Sequence, residues 1–180
     1  RFGGSDVMNR ISYDAKHRGE LQKAISSAVS KEILEMGQQH GFTRQEVYEI
    51  VVAGNSTMRE ILFKMDVQSI GQKPYKSTIE EEFLASQRPH TALTQDVRRL
   101  GLRANLRTKV YGLPLIASHV GADVAADLVA VGMDQQSESA MLVDVGTNTE
   151  VVIAHQGRLL AASCPAGPAF EGGGITYGMP

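Results

Sequence analysis

This chain of 180 residues has one cysteine, no long apolar run and no excess of either charge. Each shortage excludes something. The lone Cys164 cannot close an internal disulfide or build a four-cysteine site, so an iron–sulfur centre is excluded within these residues and a reducing cytoplasm is the expected compartment. The longest uncharged apolar stretches fall far short of the ~20 residues needed to cross a bilayer, and the N-terminus carries no signal-peptide pattern. With 18 Lys and Arg against 20 Asp and Glu, the formal net charge is -2, which gives no general reason to expect nucleic acid or an anionic membrane as partner. An initiator Met is also missing. The sequence opens on Arg1 and closes at Pro180 just after what reads as a helix start, so it is expected to be a piece of something longer.

What is present suffices for a core. At 42% hydrophobic and 21% charged residues, the chain reads as globular, about one domain by length and divisible in two. Residues 20–36 place Leu21, Ala24, Ile25, Ala28, Val29, Ile33 and Met36 at helical spacing, with Gly37 as the expected stop. "EIVVAGNSTMREILFKM" reads as a buried strand from Glu49 to Ala53, a turn at Gly54, and a helix from Ser56 to about Met65 capped by Asn55 or Ser56. Residues 66–108 hold Pro74, Pro89 and several Arg, and their pattern supports only short strands or loops. Residues 113–133 begin apolar and become an Ala-rich helix from about Ser118. Next come a strand over Ala140–Val145, a second over Thr149–Ala154, a Gln156-Gly157 turn and a third over Arg158–Ser163. "CPAGPAFEGGGITYG" then reads as a loop entering a helix with exposed backbone amides.

Asp144-Val145-Gly146-Thr147-Asn148 carries the chemistry. A carboxylate at a strand end, followed by glycine, hydroxyl and amide, can hold a hydrated Mg²⁺ while backbone N–H groups meet phosphate oxygens. The same run also suits an Asx-turn between two strands. The glycines from Gly167 to Gly174 supply a helix start where an anion is favoured. Glu150 lies, by strand alternation, on the face of Asn148, where it could position water or stand as a solvated carboxylate. His119 and Asp123, four apart, suit either a shared metal or a helix start. Asn55 needs no role beyond its cap, Cys164 reads as a small buried residue, and Arg98, Arg99, Arg103 and Arg107 read as a solvated basic stretch able to dock an acidic partner.

"IVVAGNSTM", "LPLIASHVGADVAADLVAVGM", "AMLVDVGTNTEVVIAHQGRLLAASCPAGPAFEGGGITYGM" and the opening "RFGGSDVMNRISYD" together resemble the actin-like ATPase domain of reductive activators of corrinoid proteins. More broadly, their order is similar to the superfamily of acetate and sugar kinases, heat-shock chaperones and actin. The resemblance implies a ribonuclease-H-like α/β fold in two lobes with ATP in the cleft. Residues 1–133 would be the rear part of the first lobe, with an irregular insertion at about 66–108, and residues 134–180 the start of the second lobe with its phosphate-binding hairpin. Asp144 would act catalytically and hold Mg²⁺ through water, Glu150 would assist, and Gly146, Thr147, Asn148, Gly167, Gly172 and Gly173 would bind the nucleotide. The first-lobe hairpin and the adenosine motif have no match here, so the piece alone is expected to bind ATP poorly. The resemblance further implies an iron–sulfur cluster in a domain outside this chain, reduction of a Co(II) corrinoid protein of a methyltransferase system to Co(I), and no nucleic-acid or membrane partner; a homodimer stays open. A small-molecule kinase of the same superfamily and a nucleotide-gated, actin-like assembly protein are the alternatives.

Overall fold

The structure, a computed structural model, describes residues 6–135 and 138–167. Helix α1 (Val7–Lys16) is capped by Asp6, whose carboxylate accepts from Met8 N at 3.1 Å. Helix α2 (Glu20–His40) runs straight through the expected stop at Gly37. That glycine is buried, and a Cβ there would meet the Phe42 carbonyl oxygen at 2.5 Å. The stop is Gly41, left-handed at φ 74, whose N–H closes on Gly37 O.

Strand β1 (Glu49–Val52) leads through Gly54 into α3 (Ser56–Leu62), and Asn55 is the cap, accepting from Met58 N at 2.9 Å. The stretch expected to be irregular contains α4 (Thr78–Leu84), capped by Ser77, then β2 (Leu93–Asp96) and α5 (Val97–Leu100). Strand β3 (Lys109–Gly112) runs parallel to β1 and antiparallel to β2, giving a three-stranded sheet in the order β1-β3-β2. Residues 66–108 thus hold short helices as well as the short strand expected there. They supply an edge strand to the sheet, and Val97 and Leu100 pack with Leu62, Phe63, Leu102 and Val110 in its core. Each element there is only four to seven residues long, too short for periodicity to announce. A second cluster, of Ile11, Leu21, Ile61, Val67 and Ile70, fastens α1 and α2 to α3.

Helix α6 (Ala122–Ala130) starts later than its Ala-rich sequence suggests. Residues 116–120 fold back on themselves, with Ile116 N and Ala117 N both donating to Val120 O. The first N–H groups of α6, on Ala122 and Asp123, donate to Gly54 O at 3.0 and 3.3 Å, so the β1–α3 turn and the start of α6 meet.

Strands β4 (Ala140–Val145), β5 (Asn148–His155) and β6 (Arg158–Pro165) form a separate antiparallel meander. Gln156 and Gly157, at φ 49 and 72, make the tight turn that suits a two-residue hairpin. Val152 and Ala154 on one face pack against Val120, Val124 and Met133. The opposite face, carrying Met141, Val143, Val145, Ile153 and Leu160, is exposed. Cys164 is exposed as well, contrary to the buried position its composition suggests, because β6 is an edge strand and nothing among the described residues covers that end of it.

Candidate functional site

The bend between β4 and β5 opens onto a cavity of about 290 Å³. Asp144 and Glu150 are directly opposed across the ladder and both line it, as do Gly146, Thr147 and Asn148. The other wall comes from elements distant in sequence: Val7 and Arg10 of α1, Asn55 at the head of α3, and Asp123 in the first turn of α6. A smaller hollow of about 30 Å³ adjoins it and shares Val7, Asn55, Asp123, Asn148 and Glu150.

Local packing fixes each contributor. Gly146 N donates to Asn148 O at 3.0 Å, so this N–H closes the bend itself; a Cβ on Gly146 would meet the same oxygen at 3.3 Å. Thr147 O accepts from both Ala166 N and Gly167 N, at 3.2 and 2.9 Å, which brings Gly167, left-handed at φ 83, beside the bend. Gly172 and Gly173 lie outside the described residues. Gly121 joins the α3 and α6 starts within the wall opposite the bend: a Cβ there would meet Asp123 Oδ1 at 2.5 Å, Asn55 Cα at 2.8 Å and Ser56 N at 3.0 Å. Behind the wall, Ser118 and Glu80 are hydrogen-bonded through both the serine N–H and its hydroxyl, and the Ser118 hydroxyl accepts from Ser77 N at 2.7 Å. Arg59 is buried and donates through Nη1 to the carbonyls of Thr91 and Leu113, at 2.9 and 2.6 Å.

The electrostatics are lopsided. Burial, reinforced by the charges of Asp144 and Asp127, raises the Asp123 carboxyl above its ordinary value. Asp127 is raised by burial and by Asp144. Glu150 is raised chiefly by burial and further by Asp123 and Asp144, against the Ser163 hydroxyl that donates to it at 2.8 Å. Three carboxylates, Asp123, Asp144 and Glu150, thus meet in a cavity whose other polar side chains are the amides of Asn55 and Asn148, a hydroxyl and a guanidinium. Such a set suits a divalent cation accompanied by an anion, since the cation relieves the carboxylates and the donors meet anionic oxygens. Among the described residues no three of His, Cys, Asp and Glu are placed to hold a metal directly, so a cation here would keep water ligands, as Mg²⁺ does.

The structure brings Asp144, Gly146, Thr147, Asn148 and Glu150 together and sets Gly167 next to them. His119 lines only the smaller hollow, where Asp123 also lies; it is exposed, with its ring edge-on to Tyr75 at 6.5 Å between centroids. Asn55 both caps its helix and faces the cavity. Arg10 and Val7 went unnoticed in the sequence, although Asp6 and the Val7–Ile11 spacing mark a short helix.

A strand-turn-helix meeting a second helix start over a glycine-bent antiparallel hairpin is the layout of an actin-like, ASKHA-class α/β protein. The chain belongs to the family of reductive activators of corrinoid proteins: the model of the RACo middle region matches residues 2–136, and that of the C-terminal domain of RACo, the ASKHA domain, matches residues 138–180. It is similar to a solved reductive activator for corrinoid, iron–sulfur protein, with a TM-score of 0.82 and 31% identity over 98% of this chain and 27% of that one. It is 28% identical over 181 residues to the corrinoid activation enzyme RamQ of Eubacterium limosum, covering 99% of this chain and 28% of RamQ. A 66-residue match, 39% identical, relates it to a Co(II) methylated amine-specific corrinoid protein reductase of Methanosarcina barkeri, covering 37% of this chain and 12% of that protein. The chain therefore spans little more than a quarter of RamQ and of the solved activator. No helix among the described residues is long and apolar enough to cross a membrane.

Proposed function

We propose that this region binds Mg-ATP and forms part of the ATPase of a reductive activator whose full chain returns a Co(II) corrinoid protein of a methyltransferase system to Co(I). The observation that carries the reading is the convergence of Asp144, Thr147, Asn148 and Glu150 with Asn55 and Asp123 on one cavity at the β4–β5 bend. Residues up to 133 are assigned to the first lobe and those from 134 to the second, with α6 crossing between them.

Asp144 orders water around the cation, and the side chains of Thr147 and Asn148 meet phosphate oxygens, leaving the Gly146 N–H to hold the bend. Asn55 offers its amide nitrogen from the opposite wall while its oxygen stays on Met58 N. Asp123 and Glu150, raised by burial, are placed to hold or pass a proton of a water molecule in the cavity. Bound ATP would supply a phosphoanhydride whose cleavage can be coupled to an uphill electron transfer. The electron itself comes from an iron–sulfur cluster in a domain outside this chain, and the partner is a corrinoid protein.

The test is ATP-dependent reduction of the Co(II) corrinoid protein by the full-length activator, followed in the cobalamin absorption spectrum. Asp144→Asn is expected to abolish the ATP-dependent phase. Reduction that proceeds equally without ATP, or unchanged in Asp144→Asn, would sink the assignment.

A further inference from the structure

The hairpin cavity is not the largest hollow on the molecule. A groove of about 500 Å³ runs between α2 and the loop after α5, floored by Ser26, Ser30, Leu100 and Gly101. It continues into an open hollow of about 820 Å³ along residues 102–107, and the two share Arg44 and Arg103. Neither shares a lining residue with the hairpin cavity.

The groove is cationic in a chain whose net charge is -2. Lys23, Arg44, Arg103 and Arg107 are exposed along it, and among the described residues none of them makes a salt bridge. The nearby acids are engaged: Glu35 holds Lys31 at 3.3 Å, and the Glu46 carboxylate accepts from Thr43 N and Oγ1 at 2.7 and 2.9 Å. The scaffold beneath is firm. Ser30 Oγ accepts from Arg103 N at 3.0 Å, Ser26 Oγ donates to Leu100 O at 2.8 Å, and Asn105 Nδ2 donates to Gln45 O at 2.6 Å. Leu34 and Leu106 stand 53% and 67% exposed beside these cations.

We propose that this groove is a docking surface for an acidic, leucine-bearing segment of a protein partner. Its cations are strung along two connected hollows rather than gathered on one point, which suits an extended chain better than a small anion. The exposed leucines between them call for apolar side chains on the partner. No aromatic residue among the described ones lines either hollow, so bases of a nucleic acid would find nothing there to stack on. Charge complementarity of this kind chiefly raises the association rate and selects the partner.

The experiment uses the full-length protein and a fluorescent peptide of alternating glutamate and leucine, read by anisotropy. Binding should weaken as salt is raised, and the double variant Arg44→Glu, Arg103→Glu should weaken it by roughly tenfold or more. Melting temperature and nucleotide binding should be unchanged, since neither side chain touches the core or the hairpin cavity, and this separates the groove from the ATP assignment. Binding unaffected by the charge reversal overturns the proposal. So does competition by inorganic phosphate beyond that of chloride at equal ionic strength, which would mark a small-anion site, or charge-dependent binding to anionic lipid vesicles without binding to the peptide.

Discussion

Asp144 and Glu150 are paired residues of the β4–β5 ladder, two carboxylates on one face of a hairpin, with Asp123 reinforcing the repulsion from the helix opposite. Like charges directly opposed across antiparallel strands are destabilising. Glu150→Gln keeps an oxygen for the Ser163 hydroxyl and removes one charge. The variant should unfold at slightly higher temperature without ligand, yet lose ATP hydrolysis by tenfold or more if Glu150 positions water. Thermal unfolding beside a phosphate-release assay checks both. A variant less stable than the parent would show that the pair is not repulsive.

Asp144→Asn relieves the same repulsion while removing the group assigned to the hydrated cation. Its signature is a shift in metal dependence: at fixed nucleotide, the Mg²⁺ concentration for half-maximal binding should rise by roughly an order of magnitude, with no loss of melting temperature.

Gly121→Ala probes the joint between the α3 and α6 starts, within the wall facing the hairpin. The added methyl would sit 2.8 Å from Asn55 Cα and 3.0 Å from Ser56 N, both backbone atoms that cannot rotate away. The expected cost is about 1–3 kcal/mol, measured by denaturant unfolding. Nucleotide affinity should fall with it, because Asn55 and Asp123 are pushed apart.

The buried pair Arg59 and Glu60 sets a pH dependence. Burial pushes the Glu60 carboxyl up to about 7 from 4.5, against the pull of Arg59, whose Nη2 lies 3.5 Å away. The folded chain then holds this proton more tightly than the unfolded chain. The corresponding stabilisation is complete below about pH 4.5 and lost as pH rises to about 7, by at most about 3 kcal/mol. Asp123 and Glu150, raised for the same reason, steepen the acidic part of that slope. Melting temperature should therefore fall from pH 5 toward 7, and Glu60→Gln should flatten the end of the curve near 7. An unchanged profile in that variant would assign the slope elsewhere.

How far the sequence could be read depended on element length and on which contacts are local. The hairpin was legible because period-two alternation, a glycine bend and a Gln-Gly turn all act over a few residues; β4 had its observed bounds, and β5 and β6 each extend a residue or two further. The turn at Gly54 and the Asn55 cap were legible for the same reason. The short elements between residues 66 and 108 were not, since four residues of Leu93–Asp96 become a strand only by pairing with β3. Helix α2 outran Gly37 because the left-handed cap falls at Gly41, whose N–H and that of Phe42 both close on Gly37 O; two glycines four residues apart offered the sequence a choice of stop. In the site, Asp144 to Glu150 announced themselves as a motif. Arg10, Asn55 and Asp123 acquire meaning only when three helices bring them to the same cavity.

Asn55 allows its two duties to be separated. Its side-chain oxygen accepts from Met58 N, and an aspartate would make that bond at least as well at a helix N-terminus. Asn55→Asp should therefore fold with unchanged or slightly raised stability, whereas Asn55→Ala should lose about 1 kcal/mol with the cap. On the cavity side the aspartate adds a fourth carboxylate to the lining and removes an amide donor. Nucleotide affinity should then fall in both variants, and further in Asn55→Asp because it repels phosphate. Calorimetric titration of Mg-ATP into full-length protein measures the order. Affinity that follows stability, with Asn55→Asp matching the parent, would reduce Asn55 to a cap alone.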